Sequence, residues 1–259
     1  MTQARIAAGL RLRALSGEWI ACHPEWWLLA AGVGAWLILL LPPAHEHSLL
    51  CTSVAFGASQ PFFSGAWSTA WLPLTGNLAG WVLMTIAMMA PLIVLPVRHV
   101  AFRSFRDRRH RAIGEFLAGY FGVWIGFGVV LIAMLQSVGL GGRDVIPAVG
   151  YLMAAAWQLT PSKRIALWRC HRTVPLAPEG WLADLACLRF GIGIGASCLA
   201  SCWALMALPM LASHGLGSMA CIEAAMIHER YQRRMRPRMA ASVALLALAF
   251  LVEAPGLLA

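Results

Sequence analysis

Phe190–Ile222 reads FGIGIGASCLASCWALMALPMLASHGLGSMACI, 33 residues without a charged side chain. As one helix it would extend about 50 Å at 1.5 Å per residue, well beyond the ~30 Å of a hydrocarbon core. The run therefore predicts two crossings, Phe190–Ser213 and Leu216–His228, broken at His214-Gly215-Leu216-Gly217. Working outward, the same reading gives Ile146–Thr160, ended by Pro161, then Phe116–Val138, Leu78–Val97 and Trp26–Leu41, which stops at Pro42-Pro43. Toward the C-terminus it adds Met239–Val252. The expected fold is all-α, a bundle of seven transmembrane helices. The segments at 146–160 and 216–228 are short, and tilted, interfacially extended and re-entrant forms all fit them.

Charge orients the bundle. Nineteen of the twenty basic residues lie in four blocks: Arg5 to Arg13, Arg98 to Arg111, Lys163 to Arg189, and Arg230 to Arg238. Short loops rich in Lys and Arg stay cytoplasmic, so the N-terminus is expected inside and, after seven crossings, the C-terminus outside. Only Arg143 then falls on the outer side. Composition agrees, with 60% hydrophobic and 12% charged residues, against roughly 25% charged in soluble domains. A net charge of +9 would suggest nucleic acid in a soluble chain. Here the arginines flank apolar spans, so the expected partners are anionic lipid headgroups and not nucleic acid.

Residues 1–25 read as a basic cytoplasmic tail and 26–259 as a single helical membrane domain. The first apolar run reads as a retained signal anchor, because Leu41-Pro42-Pro43-Ala44 is a poor cleavage site. Residues 43–77 form an outer stretch whose aromatics Phe62, Phe63, Trp67 and Trp71 suit an interface. The expected location is the bacterial inner membrane. Gly122-x-x-x-Gly126 and Gly191-x-x-x-Gly195 have the small-residue spacing of helix contacts. The Gly191–Gly195 run lacks the strand a dinucleotide loop needs.

Within the long run, Cys198, Cys202, Met206 and Met210 recur every four residues, with His214 one step further. Residues at i and i+4 share a helix face with Cβ atoms ≈ 5–6 Å apart, a gap that metal–thiolate bonds of about 2.3 Å can bridge. A disulfide wants Cβ atoms ≈ 3.5–4.5 Å apart, so one between Cys198 and Cys202 would be strained. Thiolate and thioether are soft donors that favour Cu(I). The competing reading is ordinary packing, since Cys and Met are also adaptable core residues. On Leu78–Val97, Met84 and Met88 share a face and fall at the depth of Cys202 and Met206. These five residues form the expected soft-metal site, with Met210, His214, Glu223, His45 and His47 as weaker candidates.

Glu223 is a carboxylate inside an apolar segment, where charge is expensive and marks function, unless it reaches outer water or stays protonated. His45-Glu46-His47 could catch a metal ion from the outer side or be a plain flexible loop. His228-Glu229 begins like a zinc-protease helix, but Gln232 stands where the second histidine belongs. The seven cysteines are odd in number and scattered, so they build no disulfide framework. Lys163, the only lysine, follows Pro161 and reads as a cytoplasmic side chain snorkelling to the interface. No phosphate loop, nucleophile elbow or haem motif is present, which argues against the commoner enzymes and pumps.

Several pieces taken together resemble a bacterial family of predicted metal-binding integral membrane proteins, a domain of unknown function. They are Trp81, Met84-Thr85, Ala87-Met88-Met89-Ala90-Pro91, Gly119-Tyr120, Trp124, Phe127, Gln158-Leu159-Thr160-Pro161, Lys163, Cys170, Arg172, Cys198, Cys202-Trp203-Ala204-Leu205-Met206 and Glu229, across residues 78–230. This chain departs from the family pattern at Ser201-Cys202, where the family has two cysteines. It also departs at Ala166-Leu167, in place of Cys-Leu, and at Glu229-Arg230, in place of Glu-Lys. The resemblance implies metal binding. The expected function is handling of a soft metal, Cu(I), by sequestering it, delivering it or helping to metallate a partner metalloprotein. The alternative is a non-catalytic subunit of a larger membrane complex, with other membrane subunits as partners.

Overall fold

The structure, a computed structural model, describes residues 23–40, 71–138, 145–177, 179–211, 216–231 and 243–251 except 245 and 249. Among the described residues the chain is helical, with no strand. The helices are α1 (Trp26–Leu40), α2 (Trp71–Met89), α3 (Val94–Arg103), α4 (Arg109–Val138), α5 (Val145–Leu159), α6 (Pro161–Arg169), α7 (Gly180–Leu211) and α8 (Leu216–Tyr231). The described residues between 243 and 251 are helical as well, with Leu246 buried.

The central pair is α4 and α7. A Cβ built on Gly191 would lie 2.1 Å from the Phe116 carbonyl oxygen, and one on Gly195 would lie 3.0 Å from that of Tyr120. One on Gly119 would lie 2.4 Å from the Leu188 carbonyl oxygen. The partners rise together in number, so the two helices run parallel. The expected contact role of Gly191 and Gly195 holds, whereas Gly122 and Gly126 face open space. Gly119 takes their part because it, unlike them, lies on the face turned to α7.

Two parallel neighbours require a return path, and α5 and α6 supply it. Gly150 approaches Leu208 and Leu211, and the rings of Trp157 and Trp203 sit 5.4 Å apart, so α5 runs antiparallel to α7. α2 is antiparallel to α4, with the Trp81 Nε1–H donating to the Trp124 carbonyl at 2.9 Å and the Trp81 ring lying against Gly128. α1 is antiparallel to the α2–α3 path: Gly32 meets Ala90, and Glu25 lies 3.6 Å from Arg98.

One expected segment is broken in its middle, and another is followed at its expected end by a new helix. Leu78–Val97 bends by 49° between Asn77–Met89 and Pro91–Arg103. Proline carries no N–H and clashes with the preceding turn, so the α-helical ladder stops there. A single 3₁₀ turn, Pro91–Ile93, carries the chain into α3. At the second break Thr160 is extended (φ −72°, ψ 144°), as the residue before a proline prefers. Its hydroxyl accepts from the Lys163 N–H at 3.3 Å, and Pro161 takes the first helical position, where a missing N–H costs nothing. Pro161 thus starts a helix as well as ending one. This corrects the expectation of a helix end followed by a cytoplasmic loop.

Among the described residues, length and composition alone qualify two helices as membrane crossings, Arg106–Ser137 and Gly180–Leu211, or three if the bent pair is one span, against the seven expected over the whole chain. The shortfall has a physical reason in the breaks. α5, at 15 residues, is about 22 Å long by itself and continues only through α6.

Candidate metal centre

Two thiols on α7 form the floor of the site. Cys198 and Cys202 are one turn apart, buried and reduced, and their thiols lie within hydrogen-bonding reach of each other. The Ser201 hydroxyl donates to the Cys198 carbonyl at 2.9 Å and lies 3.3 Å from the Cys202 sulfur. From α4, the Tyr120 hydroxyl reaches the Cys198 sulfur at 3.2 Å.

Two more sulfurs come from the broken paths. Cys170 caps the C-terminal end of α6 and is buried, and its thiol lies beside that of Cys198. Met89, the last residue of α2, puts its sulfur 3.9 Å from Cys198. Three thiols and a thioether from three elements therefore meet around Cys198. Nothing in the spacing of the α7 motif points to Cys170 or Met89. Both stand among the residues of the family resemblance, and that was the signal that could have found them.

A charged layer adjoins the sulfurs. Lys163 is 0% exposed, and its Nζ lies 2.7 Å from Glu229 Oε2, itself 1% exposed. Lys163 also donates to the Gln158 side-chain carbonyl. Both charges are close enough to act electrostatically on Cys202. The reading of Lys163 as an interfacial, snorkelling lysine is thus overturned. The chain restarts as α6 beside α7, and its first turn points Lys163 inward at a carboxylate far along the sequence.

The α2–α3 break is closed from α8. The Arg230 Nε–H donates to the Leu92 carbonyl at 3.2 Å, and the Tyr231 hydroxyl donates to the Pro91 carbonyl at 2.8 Å. Buried carbonyls freed by a break need such partners. His171 places a ring nitrogen 2.8 Å from each of the Leu167 and Arg230 carbonyls, joining the ends of α6 and α8.

Of the sequence-predicted residues, the structure brings Cys198 and Cys202 together. Met206 and Met210 are buried one and two turns further along α7. Met84 and Met88 are buried on α2, but the thioether set against Cys198 is Met89. Glu223 is half-buried and bonded to the Trp36 side chain of α1, so it belongs to a different contact. His45, His47 and His214 lie outside the described residues.

Among the described residues, no group of three His, Cys, Asp or Glu stands in geometry ready to hold a metal ion. A two-coordinate soft cation asks for less than such a triad. Contiguous thiols with an adjacent thioether are the donor chemistry that suits Cu(I) and suits a hard cation poorly. The donor set fits a soft monovalent metal.

The fold and this sulfur cluster define a helical protein with a buried soft-donor centre. Residues 78–252 match the model of a family described as PpoB2, copper chaperone. The match covers well over half of the 259 residues, and the chain belongs to this copper chaperone family. No curated protein and no solved structure matches the chain.

Proposed function

We propose that the protein is a multi-pass copper(I) chaperone of the bacterial inner membrane, which holds Cu(I) on Cys170, Cys198, Cys202 and Met89 and passes it to an apo-metalloprotein. The observation that carries this reading is the meeting of those four sulfurs from α2, α6 and α7. Met206 and Met210 continue the soft lining along α7 toward its C-terminal end. With Met84 and Met88 they would let a cation step between thioethers before it reaches the tighter thiolates.

The alternating directions of α1, the α2–α3 path, α4, the α5–α6 path and α7 support a multi-pass arrangement with its N-terminus in the cytoplasm. The parallel α4 and α7 both carry arginines near their N-terminal ends, as cytoplasmic ends do. Arg108 and Arg111 pair there with Asp184 of α7, Arg111 at 2.7 Å. The remaining arginines of these ends would meet anionic headgroups. The role is non-catalytic, since the cluster offers ligands and no nucleophile–base pair.

The test is anaerobic titration of the detergent-purified, reduced protein with Cu(I) against a chromophoric chelator. Wild type should take up Cu(I) stoichiometrically, and Cys170→Ser combined with Cys198→Ser should abolish uptake without aggregation. Full retention of copper by that double variant, or no uptake by wild type, would overturn the assignment.

A further inference from the structure

We infer that the outer face of α6, made by Arg164, Ile165, Trp168, Arg169 and Arg172, is where an acidic metalloprotein docks to take copper by way of Cys170. The inference rests on the copper(I) reading above and names the surface chemistry of the partner. α6 divides by spacing into two faces. Lys163, Ala166, Leu167 and Cys170 recur at steps of three, one and three residues, and all are buried. Arg164, Ile165, Trp168 and Arg169 fall between them and are exposed, Trp168 by 57%. Arg172, just past the helix, is exposed too and stands over the Trp168 ring at 5.2 Å. A proposed copper ligand and an exposed basic and aromatic face are thus the two sides of one nine-residue helix and its cap.

Hydrocarbon does not suit this face. The large exposed side chains of α5, Val149, Leu152, Met153 and Leu159, are all apolar, and the arginines begin only past the Pro161 break. No other part of this chain suits it either. Residues 145–177 contain no Asp or Glu, so the segment supplies no anion of its own. Residues 232–242 carry four arginines and no acid, and residues 1–22 carry three arginines and one glutamate, so both would be repelled. A second copy would present the same cations. The complement is therefore an acidic surface from another molecule. An exposed tryptophan among arginines has the composition of a protein-contact anchor. Anionic headgroups share the charge, but a carrier must leave the face nearest its ligand open to its acceptor.

The probes are two reduced peptides sharing one Cys-x-x-Cys sequence, the first flanked by glutamates and the second by lysines. Copper-loaded protein in detergent would be mixed with each, and transfer followed by stopped flow. Wild type should load the acidic peptide about tenfold or more faster than the basic one at low salt, the size of electrostatic steering. High salt should shrink that preference. Arg164→Gln combined with Arg169→Gln should fold, because both side chains are on the surface, and should remove most of the preference. Arg164→Lys combined with Arg169→Lys should keep it. Trp168→Ala should slow transfer to the acidic peptide while copper uptake stays unchanged. A wild-type preference surviving in the Gln variant would overturn the inference. So would rates independent of peptide concentration, since copper would then leave unaided. Should the Gln variant not fold, a wild-type preference that high salt leaves intact overturns it instead. In nanodiscs, quenching by brominated phosphatidylglycerol of the fluorescence that Trp168→Phe removes would put the face on lipid and equally overturn it. Failure of the underlying reading looks different, since wild type would then take up no Cu(I) to transfer.

Discussion

Replacing Gly191 by alanine tests the helix contact on which the whole site depends. The added Cβ would stand 2.1 Å from the Phe116 carbonyl oxygen and 2.9 Å from its carbon. Both obstacles are backbone, so no side chain can swing aside. Restoring an ordinary contact of a little over 3 Å needs α4 and α7 to separate by about 1 Å at that level. Inserting a methyl into a packed core costs roughly 1–3 kcal/mol. Alanine's better helix propensity returns at most about 1 kcal/mol, so the net loss is roughly 1–2 kcal/mol. Gly122→Ala gives the same propensity gain on the same helix pair and meets nothing within 4 Å. It should be neutral or stabilising by up to about 1 kcal/mol. The assay is thermal denaturation of both variants in one detergent, with Cu(I) uptake measured on each. Gly191→Ala should melt below wild type, and its Cu(I) affinity should fall because Tyr120 withdraws from its 3.2 Å contact with Cys198. Equal melting of the two variants, or a Gly191→Ala protein at least as stable as wild type, would refute the close approach.

Two further outcomes follow. Reporter fusions after residues 105 and 176 should read cytoplasmic and fusions at 60 and 143 external; a reversed or mixed pattern would refute the proposed topology. Met89→Leu should keep the bundle folded, because the swap nearly conserves volume and usually costs below ~1.5 kcal/mol. It should still speed transfer of Cu(I) to a competing chelator, and an unchanged transfer rate would remove Met89 from the ligand set.

What was legible in the sequence was the pattern written along single helices. The apolar runs gave the helices, and a four-residue recurrence gave Cys198 and Cys202, which do meet. The rest depended on contacts between segments. A hydropathy run continues across Pro91 because both sides are apolar, so the 49° bend is invisible to it. Pro161 followed by Lys163 has the same local appearance whether the chain leaves the bilayer or restarts a buried helix. What decides is Glu229, which no local window contains. Glu223 drew attention because it is a carboxylate in an apolar segment, yet it pairs with Trp36. Glu229 drew notice only in a zinc-protease pattern that fails at Gln232 and among the residues of the resemblance, yet it and Arg230 are both buried.

The two breaks also explain how sulfurs from three elements come together around Cys198. Ser201 precedes Cys202, and its hydroxyl is spent on the Cys198 carbonyl and the edge of Cys202. One helix face offers at most two neighbouring thiols, enough for a two-coordinate cation but not for a third donor. A third donor would have to come from another element, and an unbroken neighbouring helix would need its own cysteine at the right register. Here α6 begins at Pro161 and is capped by Cys170, which stands beside Cys198, while its first turn buries Lys163 against Glu229. The break in α2–α3 likewise leaves Met89 as a terminal residue turned toward the same sulfurs. Arg230 and Tyr231 keep that break open by taking up its carbonyls. The placements of Met89, Cys170 and Lys163 therefore follow from the same two prolines. Replacing Pro91 by alanine would favour a continuous helix and draw Met89 away from Cys198, and replacing Pro161 would do the same to Cys170 and Lys163.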